Sequence, residues 1–298
     1  MNNYTLIGVA SGAGAQDNRC ENGPDALLSA GMLAKLYAAG VTATWQQTLR
    51  PANKNTSVEV VTEICSRLAM AVAELMAIGQ FPVIVGGDHS CAIGTWGGVN
   101  RAIARKGSLG LIWIDAHMDS HTPETSPSGA LHGMPLACLL GYGLSELLEI
   151  AGNPPPLLPQ NICLIGVRSF EAGEAALLKR LGVRIFFMDE VRQRGIASVM
   201  GEATAIVQRN TAGFGISIDM DVLDPSEDPG VGSPAPGGIL GFELVSALKQ
   251  LNNHAQLLGV EIVEYNPGRD RNQITAQRAI QLLLAVIGQQ HAECFEQR

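Results

Sequence analysis

An α/β fold, with a mostly parallel β-sheet covered by helices on both faces, is predicted by three features of this sequence. Short apolar runs of strand length alternate along the chain with longer stretches of helical period. Gly, Pro, Asn and Asp cluster between them as turns. His- and Asp-rich motifs follow directly on several of the apolar runs, and α/β sheets carry their sites at the ends of strands.

The opening stretch Met1–Ala10 reads as a first strand, because no basic residue precedes its short apolar run as a secretory leader would require. Ala10–Gly23, rich in Gly, Ala, Asn and Asp, reads as a loop; its Gly12-Ala-Gly14 lacks the third glycine of a dinucleotide fingerprint. Pro24 suits the first position of a helix, with Asp25 in the first turn and an apolar pattern at Leu27, Leu28, Met32, Leu33 and Leu36. A strand near Thr42–Trp45, a long helix Val58–Ile78, a strand Phe81–Val85, a helix Ile93–Arg105 and a strand Leu109–Ile114 follow. Beyond Pro135 come an apolar helical stretch, a Pro-rich loop Asn153–Pro159 and a strand Ile162–Gly166. Helix Glu171–Leu181, strand Arg184–Met188, helix Val199–Gln208, strand Phe214–Ile218, helix Phe242–Leu251, strand Leu257–Val263 and a last helix Thr275–Gln290 complete the series. Such alternation predicts a parallel sheet, but periodicity does not distinguish an open sheet from a closed barrel.

A chain of 298 residues with 46% hydrophobic content can bury a sizeable core, and no composition break, charge run or repeat divides it, so a single domain over 1–298 is expected. Net charge −8 with scattered Lys and Arg gives no footprint for nucleic acid. No apolar stretch approaches the roughly 20 residues of a membrane span. Cysteines at 20, 65, 91, 138, 163 and 294 form no Cys-x-x-Cys pair and sit mostly in apolar runs, which predicts buried, reduced thiols and a cytoplasmic protein. Glu293–Arg298 reads as a short polar tail.

The chemistry is concentrated at strand ends. Asp115, His117 and Asp119 follow Leu109–Ile114, and on a continued extended backbone their period-2 spacing would point all three to one face. Asp219 and Asp221 follow Phe214–Ile218, and Asp88-His89 follows Phe81–Val85 with two glycines between. A lone Asp-x-His is as well explained by a polar turn that caps the next helix. Together, however, His89, Asp115, His117, Asp119, Asp219 and Asp221 supply two imidazoles and four carboxylates. Four carboxylates crowded without counterions would repel and cost several kcal/mol each to desolvate. Two divalent cations would cancel the four charges. Oxygen-rich ligands with a minority of imidazole favour a hard or borderline ion such as Mn²⁺, and paired ions of this kind make hydroxide from water near neutral pH. The constellation therefore predicts a hydrolase.

The segments Gly86-Gly87-Asp88-His89-Ser90, Asp115-Ala-His117-Met-Asp119 with Ser128-Gly129-Ala-Leu-His132-Gly133-Met134-Pro135, Ser217-Ile-Asp219-Met-Asp221-Val-Leu-Asp224-Pro225, and Glu264-Tyr-Asn266-Pro267 carry a resemblance. They are similar to the signature segments of the ureohydrolase family, and within it the chain most resembles the arginases. The four segments lie in order over nearly the whole chain. The resemblance implies the open arrangement, a three-layer α/β/α fold with an eight-stranded, mostly parallel sheet. It also implies two Mn²⁺ ions, one held by His89, Asp115, Asp119 and Asp219 and the other by His117 and Asp221 with Asp115 and Asp219 bridging.

By the same resemblance His132 is the acid/base near the metal site, a role that suits a group whose unperturbed pKa is about 6.5. Glu264 falls on the residue that receives the guanidinium group, where a carboxylate can accept two parallel charge-assisted hydrogen bonds. The implied reaction is hydroxide attack on the guanidino carbon, a tetrahedral intermediate stabilised by the metals and Asp221, and release of urea. Glu261 is expected to be structural, and Arg168 an ion-pair partner.

The substrate-recognition positions depart from the arginase pattern. Where arginases carry an Asn and a Ser for the α-carboxylate and a second Asn before the catalytic His, this chain has His121, Ser128 and Ala130. Where they carry an acidic residue for the α-amino group, it has Glu171. L-Arginine is the first expectation, with urea and L-ornithine as products. Agmatine, guanidinobutyrate and formimidoylglutamate are alternatives within the family. A catalytically silent binding or regulatory protein would be expected to lack a ligand, His132 or Glu264. A single-ion zinc deacetylase would be expected to lack the pair His117 and Asp221. Homo-oligomers, trimers or hexamers, are implied by the resemblance alone.

Overall fold

The structure, a computed structural model, describes residues 3–52 and 54–288. In chain order it forms β1 (Tyr4–Val9), α1 (Gly23–Ser29), α2 (Met32–Ala38), β2 (Ala43–Leu49), α3 (Ser57–Ala77), β3 (Phe81–Gly86), α4 (Ala92–Ile103) and β4 (Leu109–Ile114). Next come α5 (Pro135–Leu139), α6 (Ser145–Ala151), β5 (Leu157–Val167), α7 (Ala172–Leu181), β6 (Arg184–Phe187), α8 (Met188–Arg194) and α9 (Ile196–Val207). The chain then runs through β7 (Gly213–Asp219), α10 (Gly241–Leu248), β8 (Leu257–Val263) and α11 (Ile274–Ile287). The eight strands form one sheet in the order β2-β1-β3-β8-β7-β4-β5-β6, and every pairing is parallel. The sheet is open, with β2 and β6 at its edges, which excludes the barrel.

Period-2 alternation along each strand feeds two cores, one on each face. Val83, Val85, Ile112, Ile114, Ile216 and Ile218 pack against α1, α2, α8, α9, α10 and α11. Ile84, Leu111 and Trp113 pack on the other face against α3, α4, α5 and α6. Each such side chain, fully buried, contributes about 1.5–3 kcal/mol relative to exposure. These are the three layers of an α/β/α fold.

Four differences from the sequence expectation have local causes. The expected first helix is two, because Gly31 at φ 82° ends α1 before Met32 opens α2. β2 runs further than Trp45, to Leu49; it is an edge strand whose exposed Gln46 and Gln47 blur the apolar signal. β5 begins at Leu157 inside the expected Pro-rich loop, and its register against β4 jumps between Leu109–Leu157 and Leu111–Ile162. Pro159 falls in that irregularity, where the ladder needs no N–H from it. Met188 ends no strand but starts α8, a helix with only Met188 and Val191 buried and so without a readable period. Cys294, the last residues of the expected final helix and the polar tail Glu293–Arg298 lie outside the described residues.

Candidate active site

The sheet order explains why distant motifs meet. β3, β8, β7 and β4 are consecutive neighbours, and their C-terminal ends lead into His89, Glu264, Asp219 with Asp221, and Asp115 to Asp119. Parallel pairing puts all four exits at one edge, the usual location of a site in an open α/β sheet.

His89 Nδ1 lies 3.0 Å from Asp119 Oδ2, 3.0 Å from Asp219 Oδ2 and 3.3 Å from Asp115 Oδ2. His117 Nδ1 lies 3.1 Å from Asp221 Oδ2 and 3.6 Å from Asp115 Oδ1. The six residues therefore form two groups, His89 with Asp115, Asp119 and Asp219, and His117 with Asp115 and Asp221; within each group the potential donor atoms lie within 4.8 Å of one another. Asp115 is common to both. Asp219, expected to be a second bridge, falls in the first group alone at this spacing.

The period-2 extended backbone expected for Asp115, His117 and Asp119 is not what forms. The strand ends at Ile114, the Asp115 carboxylate accepts the His117 N–H at 2.6 Å, and Asp119 sits at φ 48°. A carboxylate that captures the backbone two residues ahead favours a turn over continued strand. The turn sends Asp119 to one group and His117 to the other, with Asp115 shared between them. Asp219 repeats the device, accepting the Asp221 N–H at 2.8 Å.

Burial and mutual repulsion dominate the electrostatics. Burial, with the Asp115 charge beside it, pushes the Asp119 carboxyl up to about 6. Burial followed by the charges of Asp221 and Asp115 raises Asp219 as well, and burial raises Asp221. Against the cost of burial, the neighbouring His117 and His89 hold Asp115 below the usual carboxylate range. His89 and His117 are both pushed up in spite of burial, because acidic neighbours surround them. Perturbations of opposite sign in one buried cluster mark a functional site.

Beside this cluster, Glu264 is buried and its Oε1 accepts the His89 N–H at 2.9 Å and faces His132 Nδ1 at 3.1 Å. The Cys20 thiol donates to Oε2 at 3.2 Å. Burial alone would raise Glu264, but the His132 bond and charge bring it below the carboxylate range. Burial lowers His132, but the Glu264 bond and charge, with the charges of Asp119 and Asp88, together outweigh it, and its pKa is pushed up to about 9. The loop Ala10–Gly23 is part of the same wall: the Gly14 N–H donates to Asp88 at 3.0 Å, and the Gly14 carbonyl accepts the His132 N–H at 3.0 Å.

At the other end of the cavity, His121 Nε2 lies 2.9 Å from Glu171 Oε2 and 3.4 Å from Glu174 Oε2. Glu171 caps the start of α7, and Glu174 reaches back to the Glu171 N–H at 3.0 Å. Burial, then the Asp119 charge, pushes Glu174 up to about 8. One cavity is lined by His117, Asp119, Asp221, Ser128, Glu171 and Glu174, and a neighbouring one by Glu264 and Arg269; Ser128, Ala130, His132 and Ser233 border both.

The sequence profile of the Arginase family matches residues 2–288. The arginase of Brevibacillus brevis is 39% identical over 294 residues, covering 96% of this chain and 98% of that one. The Bacillus caldovelox arginase is 42% identical over 233 residues, covering 78% and 77%. Its solved structure matches the fold with a TM-score of 0.91 at 36% identity, over 97% of this chain and 99% of that one. This chain belongs to the arginase family. It is a hydrolase acting on carbon–nitrogen bonds of amidines.

The residues of this arginase-family chain fit metal binding on their own chemistry. His89 Nδ1 is buried and makes no hydrogen bond, although three carboxylate oxygens lie within 3.3 Å. Donor atoms gathered around a point without pairing to one another match a cation's ligands better than a hydrogen-bond network. Sequence reasoning missed Glu174, whose only signal is its place three residues after Glu171, the spacing of a capping box. It also missed Cys20, which no short-range pattern ties to Glu264. Arg168 is corrected: its guanidinium donates to the carbonyls of Gly166, Asp221, Leu223, Ala235 and Pro236, with no carboxylate partner among the described residues. Carbonyls converging from three segments satisfy its donors where an acid was expected. Among the described residues no helix is long and apolar enough to cross a membrane, and Cys20, Cys65, Cys91, Cys138 and Cys163 are buried and unpaired.

Proposed function

We propose that the chain hydrolyses L-arginine to urea and L-ornithine with two Mn²⁺ ions. His89, Asp115, Asp119 and Asp219 would hold one, and Asp115, His117 and Asp221 the other. The observation that carries the proposal is the juxtaposition of two donor groups sharing Asp115 with a buried, low-pKa carboxylate on one side and a Glu171–Glu174 pair on the other. When bound, the ions supply Lewis-acid activation of water near neutral pH. Glu264 receives the guanidinium through charge-assisted hydrogen bonds and fixes the guanidino carbon over the ligand cluster. His132, paired to Glu264, carries the proton to the leaving amine. Asp221 accepts a substrate N–H as charge develops. Glu171 and Glu174 take the α-ammonium, and Ser128, whose oxygen already accepts the Ala130 N–H at 3.2 Å, keeps its hydroxyl proton for the α-carboxylate. His121, expected to serve the carboxylate, has Nε2 engaged by Glu171 and here holds the acidic pair in place.

Product release from L-arginine, agmatine, 5-guanidinopentanoate and formimidoylglutamate, after loading with Mn²⁺, tests the assignment. Preference for L-arginine is expected, because agmatine lacks the carboxylate and 5-guanidinopentanoate the amine. A better rate with any of the other three would overturn the substrate. Turnover in the cytoplasm fits the five buried thiols, and a homo-oligomer, trimer or hexamer, is to be checked by light scattering.

A further inference from the structure

Glu261 lies on β8 directly opposite Ser217 on β7, and both are fully buried. Glu261 Oε1 accepts the indole N–H of Trp96 and, at 2.7 Å, the Ser217 hydroxyl. Ser217 Oγ in turn lies 2.9 Å from His89 Nε2. A serine has one proton to give. Since it goes to Glu261, Ser217 can only accept from His89, so Nε2 carries the ring proton. The direction of the chain does not depend on the charge of Glu261: two donors already occupy Oε1, and a proton on the carboxyl would sit on Oε2, which has no hydrogen-bond partner. With Nε2 protonated, the bare nitrogen of the neutral ring is Nδ1, the atom facing Asp115, Asp119 and Asp219. Stacking on Trp113, at 4.2 Å between centroids and 10° between planes, fixes the plane of the same ring.

We propose that Glu261 and Ser217 form a relay that sets the tautomer and orientation of His89, making Glu261 a positioning residue for metal binding. This inference rests on the metal site proposed above. It replaces the structural role expected for Glu261 from sequence. Partners behind a ligating histidine typically change metal affinity 10–100-fold.

The test is Mn²⁺ titration of chelator-treated protein by calorimetry, with melting of the metal-free forms as a folding control. Ser217→Ala and Glu261→Leu are each expected to weaken the first ion about 10–100-fold. Glu261→Gln, whose amide oxygen can still accept from Ser217 and Trp96, is expected to restore affinity to near wild type. The double variant Ser217→Ala/Glu261→Leu is expected to be no worse than either single change, because both break one chain. Unchanged affinity in Ser217→Ala, or fully additive losses, would overturn the relay. Should Glu261→Leu not fold, Ser217→Ala and Glu261→Gln still decide it. Wild-type protein that takes up no Mn²⁺ would instead sink the metal site itself, and the two failures are thereby distinct.

Discussion

Glu264 holds a backbone φ of 62°, a left-handed conformation that costs a non-glycine residue about 1–3 kcal/mol. Asp119, at φ 48°, shares it. Strained backbone at two strand exits is offset by what the side chains reach. Glu264→Gln keeps the shape and removes the charge; a charge-assisted hydrogen bond contributes about 1.5–3 kcal/mol, so kcat/KM for L-arginine is expected to fall at least about tenfold, read by urea release. Asp119→Ala removes a donor from the first group only, and elemental analysis is expected to show one ion weakened or lost. His132 gives a pH dependence. Its folded pKa is raised from 6.5 to about 9, so its contribution is complete below 6.5 and is lost as pH rises through 9. Melting of metal-free wild type against His132→Asn should show the wild-type advantage shrinking over that window; an advantage independent of pH would contradict the pairing with Glu264.

Among elements, β7 shows how the core supports the site. A Cβ built on Gly215 would lie 1.9 Å from Trp96 Cζ3, so β7 accepts the indole only because residue 215 has no side chain. Gly215→Ala forces Trp96 off Glu261 and is expected to cost about 1–3 kcal/mol, measured by urea unfolding. The same element level marks the limit of sequence reading. Strands such as Leu109–Ile114 were legible because they are buried on both faces and continuously apolar. Edge strand β2 was legible only as far as Trp45 and short helix α8 not at all, since each buries few residues and periodicity needs several. The clustering of His89, Asp115, His117, Asp119, Asp219 and Asp221 was legible because each motif is local; the contacts of Glu174, Cys20 and Glu261 were not, because they are set by strand order rather than spacing, as with Cys20 to Glu264.

For the whole molecule, strand order is the cause that unites fold and chemistry. Adjacent β3, β8, β7 and β4 deliver two imidazoles, four carboxylates and Glu264 to one edge, and no single element could hold that charge without the others. The open sheet could not be told from a barrel by period alone; the edges at β2 and β6 decide it. The account stands or falls on the dependence of arginine hydrolysis on a metal held by this cluster. The decisive measurement is urea released from L-arginine by chelator-stripped protein as Mn²⁺ is added back and bound metal is counted. No urea from the stripped protein, rising to a plateau as bound Mn²⁺ approaches two per chain, is the predicted result; urea without metal, or full metal loading with none from L-arginine, would contradict it.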